Sequence, residues 1–508
     1  MVALAGGALS FLLSMAWQIV IARRLGSAGA GVFFLALAIS RVLAEGGDLG
    51  VDYGILRLGG IAHGSKDANR FRALIHNGLR GSLLFGSVAG LALAAGASVV
   101  AQLFNRPEIA PSLIPLALAV PFTASTEVVR SGLRAMGDAV RPVASSSIFT
   151  PSLRLASGLV AVVILPSAEA VAWGYLLTEA VVFLITTAML WRQLPAGDRR
   201  LSDSKGLFRF SLPMSLNRTL LYGNNQTEVV ILGLLSFPIE TVGIFAISRR
   251  LSVLIGSLLT SVTVLFNPIV ADLHDTQRTD ELADLYRTST RWLFTLGLPI
   301  CLVELLFADE LLAVMGKGFS EGAAALMVLA VGQLVNVGTG TSSNLQAMAG
   351  HAKVTLLNSL LFLSLSIALD IALIPPFGLI GAAVAATSSM IVVNLLRMWQ
   401  IHKRLGLMPY DRTFLRPIAA AVPACAIAAL LPLPSMPTEL ELALRVGVLG
   451  VAYLGTLFLL GFEPIDREIA RAAKRKVLGR KGPEAPAAEM PPDAPHQVTS
   501  EEARSAPR

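Results

Sequence analysis

The charged side chains read as lying deepest in stretches otherwise apolar enough to sit in a membrane are eight: Arg41, Glu45, Arg154, Glu179, Arg218, Glu228, Arg249 and Arg250. A charge in a spanning helix costs at least about 2.5–3.5 kcal/mol, so each of these must face a cavity or a partner. Five of the eight are arginine. The planar guanidinium fork binds phosphate and pyrophosphate oxygens two at a time, so a cavity built from such groups suits an anion and repels a cationic drug. Arg41 and Glu45 are four residues apart, share a helical face and are spaced to neutralise each other. Arg249 and Arg250 are adjacent, so at most one is expected to point into a cavity.

A second polar feature is the run Asn217, Arg218, Thr219, Tyr222, Gly223, Asn224, Asn225, Gln226, Thr227, Glu228. A lipid-facing helix could not carry it, so it must line the interior. Asn224, Asn225 and Gln226 resemble a sugar-binding surface, since amides answer hydroxyl groups with both donors and acceptors. Hydrogen bonding between helices is the competing use of such residues. Pro213 should loosen this helix near one end. Glu228, Glu45 and Glu179 are the carboxylates that could exchange a proton or a cation for substrate. Glu228 ranks first because it lies in the polar run, and Arg218, ten residues away and therefore about 15 Å along a helix, is too distant to neutralise it. No phosphate-binding loop, HExxH or GxSxG sequence is present, and the six histidines have no ligand spacing. Neither a cofactor nor a metal is expected, nor an enzyme.

The elements that hold these residues follow from composition. Of 508 residues, 54% are apolar and 15% charged, and mean hydropathy is +0.67. A soluble chain carries roughly 25% charge, so lipid must cover most of this one. Two cysteines, Cys301 and Cys425, exclude a disulfide framework. The net charge of +7 reflects basic loops between apolar segments and not a nucleic-acid surface. About 20 apolar residues cross a bilayer, and fourteen such segments are read: 3–22, 31–56, 80–103, 111–130, 143–165, 169–191, 207–236, 241–268, 291–314, 322–347, 354–374, 378–400, 413–432 and 443–462. The first is followed by Arg23-Arg24 and has no basic leader before it, so it reads as an uncleaved helix, with a few residues expected upstream of Met1. With the N-terminus cytoplasmic, the inside loops hold twenty Lys and Arg and the outside loops four. Both termini are therefore expected in the cytoplasm, in the cell inner membrane. Residues 465–478 read as a basic amphipathic segment, and 482–508 as a disordered tail.

The chain contains a weak copy of itself. SGLRAMGDAVR at 131–141 matches SNLQAMAGHAK at 343–353, an offset of 212, and the same offset pairs Gly31-Val32-Phe33 with Gly243-Ile244-Phe245. Both blocks fall at equivalent places in a unit of six helices. Six is even, so the copies share one orientation, as in transporters that rock two halves about a site at mid-membrane. The expected fold class is an all-α integral membrane protein of about 14 transmembrane helices, with two parallel-repeat six-helix lobes plus two extra C-terminal helices. The expected domains are 1–192 and 207–403 for the lobes, 193–206 for a cytoplasmic linker, 404–464 for the added helices and 465–508 for the tail.

Several local patterns resemble the oligosaccharide and polysaccharide flippases of the multidrug/oligosaccharidyl-lipid/polysaccharide exporter superfamily. They are IARRLGSAGAGVFFLALAIS at 21–40, FSLPMSL at 210–216, GQLVNV at 332–337, LQAMAGHAK at 345–353 and, most specifically, LIPPFGLIGAAVAATSS at 373–389. The resemblance runs over roughly residues 10–405. It implies two lobes in a V and alternating access for a polyprenyl-(pyro)phosphate-linked oligosaccharide in the bilayer. It would also bring a polysaccharide polymerase or glycosyltransferases as partners, a proton or sodium ion for coupling, and no nucleic acid. It places helices two, seven and eight at the lobe interface, so Arg24, Arg41, Arg218 and Arg249 are expected to include the pyrophosphate clamp, with Asn224, Asn225 and Gln226 beside it. The family often has an Asp in helix seven, where this chain has Gln226 or Thr227 next to Glu228. A drug antiporter of the same superfamily and a non-transporting scaffold for polysaccharide assembly are the alternative functions.

Overall fold

The computed structural model describes residues 2–194, 204–349, 352–430 and 438–461. The expected linker 193–206 falls largely outside these, and the tail 465–508 falls wholly outside. Among the described residues the chain is helical throughout, with no strand. It is an all-α integral membrane protein. Contact clustering separates Met1–Thr456 from Leu457–Arg508, and the architecture below is that of the first unit.

The helices that build the site are α1 (Val2–Gly47), α2 (Thr150–Ile164), α3 (Ala168–Trp191), α4 (Ser204–Asn224), α5 (Thr227–Leu234), α6 (Ile239–Asp275), α7 (Ala323–Gly338) and α8 (Ala352–Leu405). Eleven segments among the described residues are long and apolar enough to cross a membrane. Two of them, of 56 and 53 residues, are long enough to cross twice. Each breaks at a glycine with a left-handed backbone, Gly26 (φ 67°) in α1 and Gly378 (φ 55°) in α8, a conformation that side chains resist. In α8 the break follows Pro375-Pro376, where the sequence demands a turn. The pair α4–α5 is not among the eleven, because its polar run lowers its hydropathy. Its break falls at Asn225–Gln226, at the end of the weak helix formers Gly223, Asn224 and Asn225, and not at Pro213, where the helix is continuous.

The matched segments of the internal repeat meet each other in the structure. A Cβ on Gly31 of α1 would collide with the Ile239 carbonyl and the Gly243 nitrogen of α6, and one on Gly243 would collide with Ser27 and Gly31. The matched pair is thus in backbone contact, which only glycine allows. The partners two residues further on by the same repeat, Phe33 and Phe245, are both fully buried. Trp17, Phe33 and Phe34 stack edge to face around the junction at 5.3–6.5 Å between ring centres. Lipid is as apolar as a leucine core, so close approach of small residues and ring packing, more than burial itself, hold such helices together.

Candidate functional site

Beneath this junction two confluent cavities lie between α1, α2 and α3 on one side and α4 to α8 on the other. The smaller encloses about 180 Å³ and gathers Arg41 of α1, Arg154 of α2, Tyr175 of α3, Tyr222 of α4 and Arg250 of α6. Arg154 donates to Glu179 Oε1 at 2.5 and 3.0 Å and to the Tyr175 hydroxyl at 3.2 Å, and its guanidinium lies 4.8 Å from the Tyr175 ring centre. Arg41 reaches the Tyr175 and Tyr222 hydroxyls at 3.5 and 3.4 Å, with Glu45 at 3.9 Å. Arg250 stacks 3.9 Å from the centre of the Phe34 ring, and among the described residues it has no ion-pair partner. Three guanidinium groups against two carboxylates leave this cavity positive, with the tyrosines holding the arginine planes in place. Such an arrangement can bind an anion with charge-assisted, oriented hydrogen bonds.

The larger cavity, about 530 Å³, shares Gln18, Tyr222, Gln226 and Arg250 with the first. Its wall continues through Asn225, Gln333, Asn336 and Asn394 to Arg397. Asn394 donates to Asn336 Oδ1 at 2.9 Å, and Asn336 to Gln333 Oε1 at 3.3 Å. Behind the wall, Arg249 Nη1 lies 3.0 Å from Glu228 Oε2. Asp370 of α8, fully buried, lies within electrostatic range of both, and neither of its oxygens receives a hydrogen bond among the described residues. Two carboxylates share one guanidinium there, so a neutral site calls for one proton or one monovalent cation.

The expected residues divide accordingly. Arg41, Arg249, Asn225 and Gln226 line the cavities. Asn224 is buried with Oδ1 unpartnered but lines neither. Arg24 is exposed outside them, because the chain turns at Gly26. Its neighbour Arg23 is drawn to the Val314 carbonyl (2.6 Å) and to Glu439 (2.9 Å). The Arg218 side chain lies outside the described residues. Arg249 and Arg250 both reach the cavity, against the expectation that only one would. Arg249 is spent on Glu228, so Arg250 is the one left without a counter-charge. For the same reason Glu228 is not free, as its distance from Arg218 suggested: the partner comes from the next helix, which spacing along one helix cannot show. Glu179 and Glu45 are likewise paired with Arg154 and Arg41. Sequence reasoning passed over Tyr175, Asp370 and Arg397 as site residues. Asp370 and Arg397 did carry a signal, each a lone charge in an apolar run.

This fold is shared by known transporters. The structure superposes on the lipid II flippase MurJ in an inward closed conformation with a TM-score of 0.74 at 11% identity, covering 94% of this chain and 99% of that one. It superposes on an inward-facing multidrug resistance MATE family transporter of the MOP superfamily with a TM-score of 0.67 at 15% identity, covering 78% and 94%. The chain is therefore a multi-pass membrane protein whose fold is that of these transporters. A family described as polysaccharide biosynthesis protein matches residues 79–321. A probable flippase, AglR of Haloferax volcanii, is 29% identical over 191 residues, 36% of this chain; the matched region spans about two fifths of that relative, 39%. The chain thus resembles polysaccharide biosynthesis proteins over residues 79–321, just under half of its length.

Proposed function

We propose that the chain is a flippase that carries a polyprenyl-(pyro)phosphate-linked oligosaccharide from the inner to the outer leaflet of the cytoplasmic membrane, by alternating access of its two lobes. The observation that carries this reading is the convergence of Arg41, Arg154 and Arg250, from three separate helices, on one cavity between the lobes. A diphosphate supplies the missing negative charge, and the amide wall beyond Gln226 receives sugar hydroxyls. A drug cation would meet net positive charge there, which disfavours the antiporter reading.

In this reading the chain crosses the membrane fourteen times with both termini cytoplasmic. The lobes are 1–192 and 207–403, and 404–464 supplies two further helices. The carboxylate pair of Glu228 and Asp370 beside Arg249 takes a proton or sodium ion, and Glu45 and Glu179 serve to hold arginines. A polymerase and glycosyltransferases act on either side of the step. The decisive experiment places purified protein in liposomes bearing a fluorescent polyprenyl-diphosphate oligosaccharide and follows its appearance in the opposite leaflet. Wild type should move it, and Arg41→Gln, Arg154→Gln and Arg250→Gln should each be impaired. Undiminished transport by all three variants would remove the proposal.

A further inference from the structure

Arg397, near the C-terminal end of α8, is a charge that the diphosphate leaves unexplained. It is 8% exposed and lines the larger cavity. Only Nη1 has a protein partner among the described residues, the neutral Asn394 Oδ1 at 3.2 Å. Nε is buried without one. The edge formed by Nε and Nη2, which grips a carboxylate with two parallel hydrogen bonds, is therefore unused. An enclosed guanidinium without a counter-charge is costly, and a ligand anion removes that cost.

Between Arg250 and Arg397 the polar part of the wall is made of the amides Gln226, Gln333, Asn336 and Asn394, set among apolar residues such as Val253, Leu254 and Phe362. Each amide side chain offers donors and an acceptor, the pattern that hydroxyl groups need. The cavity of about 530 Å³ is in the usual range for a bound organic ligand, roughly 300–1,000 Å³. An anion, a stretch of hydroxyls and a second anion therefore match the wall in order.

We propose that Arg397 binds a second anionic group of the transported molecule, the carboxylate of an acidic sugar, while the diphosphate occupies the Arg41–Arg154–Arg250 end. The substrate class is thus an acidic oligosaccharide, an inference that rests on the flippase reading above. A phospholipid head group is the other source of an anion for this site, and the test separates the two.

The full chain in nanodiscs is titrated calorimetrically with a tetrasaccharide containing one glucuronic acid, and with the same compound after reduction of that carboxylate to an alcohol. Wild type should prefer the acidic probe by about tenfold to a hundredfold, the yield of a charged hydrogen-bonded pair. Arg397→Gln should erase the preference and leave binding of the neutral probe unchanged, while Arg397→Lys should retain part of it. Should Arg397→Gln fail to fold, the Lys variant must still show a reduced preference. Inorganic pyrophosphate should bind Arg397→Gln as it binds wild type, and should bind Arg250→Gln more weakly. Equal binding of both sugars by wild type, or an intact preference in Arg397→Gln, overturns the proposal. Displacement of the acidic probe by glycerophosphoglycerol through Arg397 assigns the site to lipid and overturns it as well. Failure of pyrophosphate to bind, with the Arg397-dependent preference intact, counts against the diphosphate end alone.

Discussion

At the scale of single residues, the site is a set of arginines sorted by whether a carboxylate already holds them. Arg154 is fixed by Glu179 and Tyr175, Arg249 by Glu228, and Arg250 by the face of Phe34 and the Ala246 carbonyl, with no carboxylate among the described residues. Arg250→Gln should therefore lower flipping and diphosphate binding about 10- to 100-fold with little effect on thermal stability, since it removes a charge that no described carboxylate needs. Glu179→Gln should do the opposite first. It leaves Arg154 buried without its counter-charge, and breaking a buried pair costs on the order of 3–5 kcal/mol, so the melting temperature in detergent should fall before transport is assayed. An Arg250 variant less stable than the Glu179 variant would refute that ranking. Asp370→Asn should relieve the two-carboxylate site of its excess charge, and flipping should then lose its dependence on an imposed proton or sodium gradient. Gradient dependence as strong as in wild type would assign coupling elsewhere. The sequence made charged residues in apolar segments conspicuous, so Arg41, Glu179, Glu228 and Arg250 could be singled out. Pairing across helices is a tertiary fact, and that is why the sequence alone offers Arg249 as a clamp residue and Glu228 as a free carboxylate.

At the scale of elements, the close crossing of α1 and α6 depends on two glycines. Their repeat relationship was visible as one short match at an offset of 212; that they touch each other was not, since a repeat reports similarity and not position. Gly31→Ala places a methyl against the Ile239 carbonyl, and Gly243→Ala places one against Ser27. Both neighbours are backbone and cannot swing aside, so the helices must separate. Each variant should weaken closure at this end of the cavity, read as faster modification of a cysteine introduced at Ser27, and the double variant should add little to either single one, because one displaced contact is shared. Unchanged modification rates in both would show that the crossing tolerates a side chain. The break between α4 and α5 belongs to this scale too. The polar run announced an interior helix, and the turn at Asn225–Gln226 carries Gln226 into both cavities, a placement that no periodicity argument could give to a non-helical residue.

At the scale of the whole molecule, transport requires that the cavity open to opposite sides in turn, and this gives meaning to the sidedness of the loops. In the proposed orientation the loops with twenty basic residues face the cytoplasm and those with four face outward, since positive loops tend to stay in the cytoplasm. The fold places the loop residues Ser65 and Asp275 in exposed positions at one set of helix ends, and Pro107 and Lys317 in exposed positions at the other. Cys301 is buried and Cys425 partly so, and both can be replaced by alanine to give a background without thiols. In intact cells, cysteines at Pro107 and Lys317 should react with a membrane-impermeant maleimide, and cysteines at Ser65 and Asp275 should react only after permeabilisation. The Gly31–Gly243 crossing then lies at the outer end, next to the turn at Gly26, and the cavity beneath it would be reached from the cytoplasm in this conformation. That is the state in which a flippase loads a substrate assembled on the inner leaflet. Labelling of the first pair alone would agree with loading from inside; labelling of the second pair alone would invert the molecule, turn the crossing into an inner closure, and require the arginine cavity to face outward in the state described.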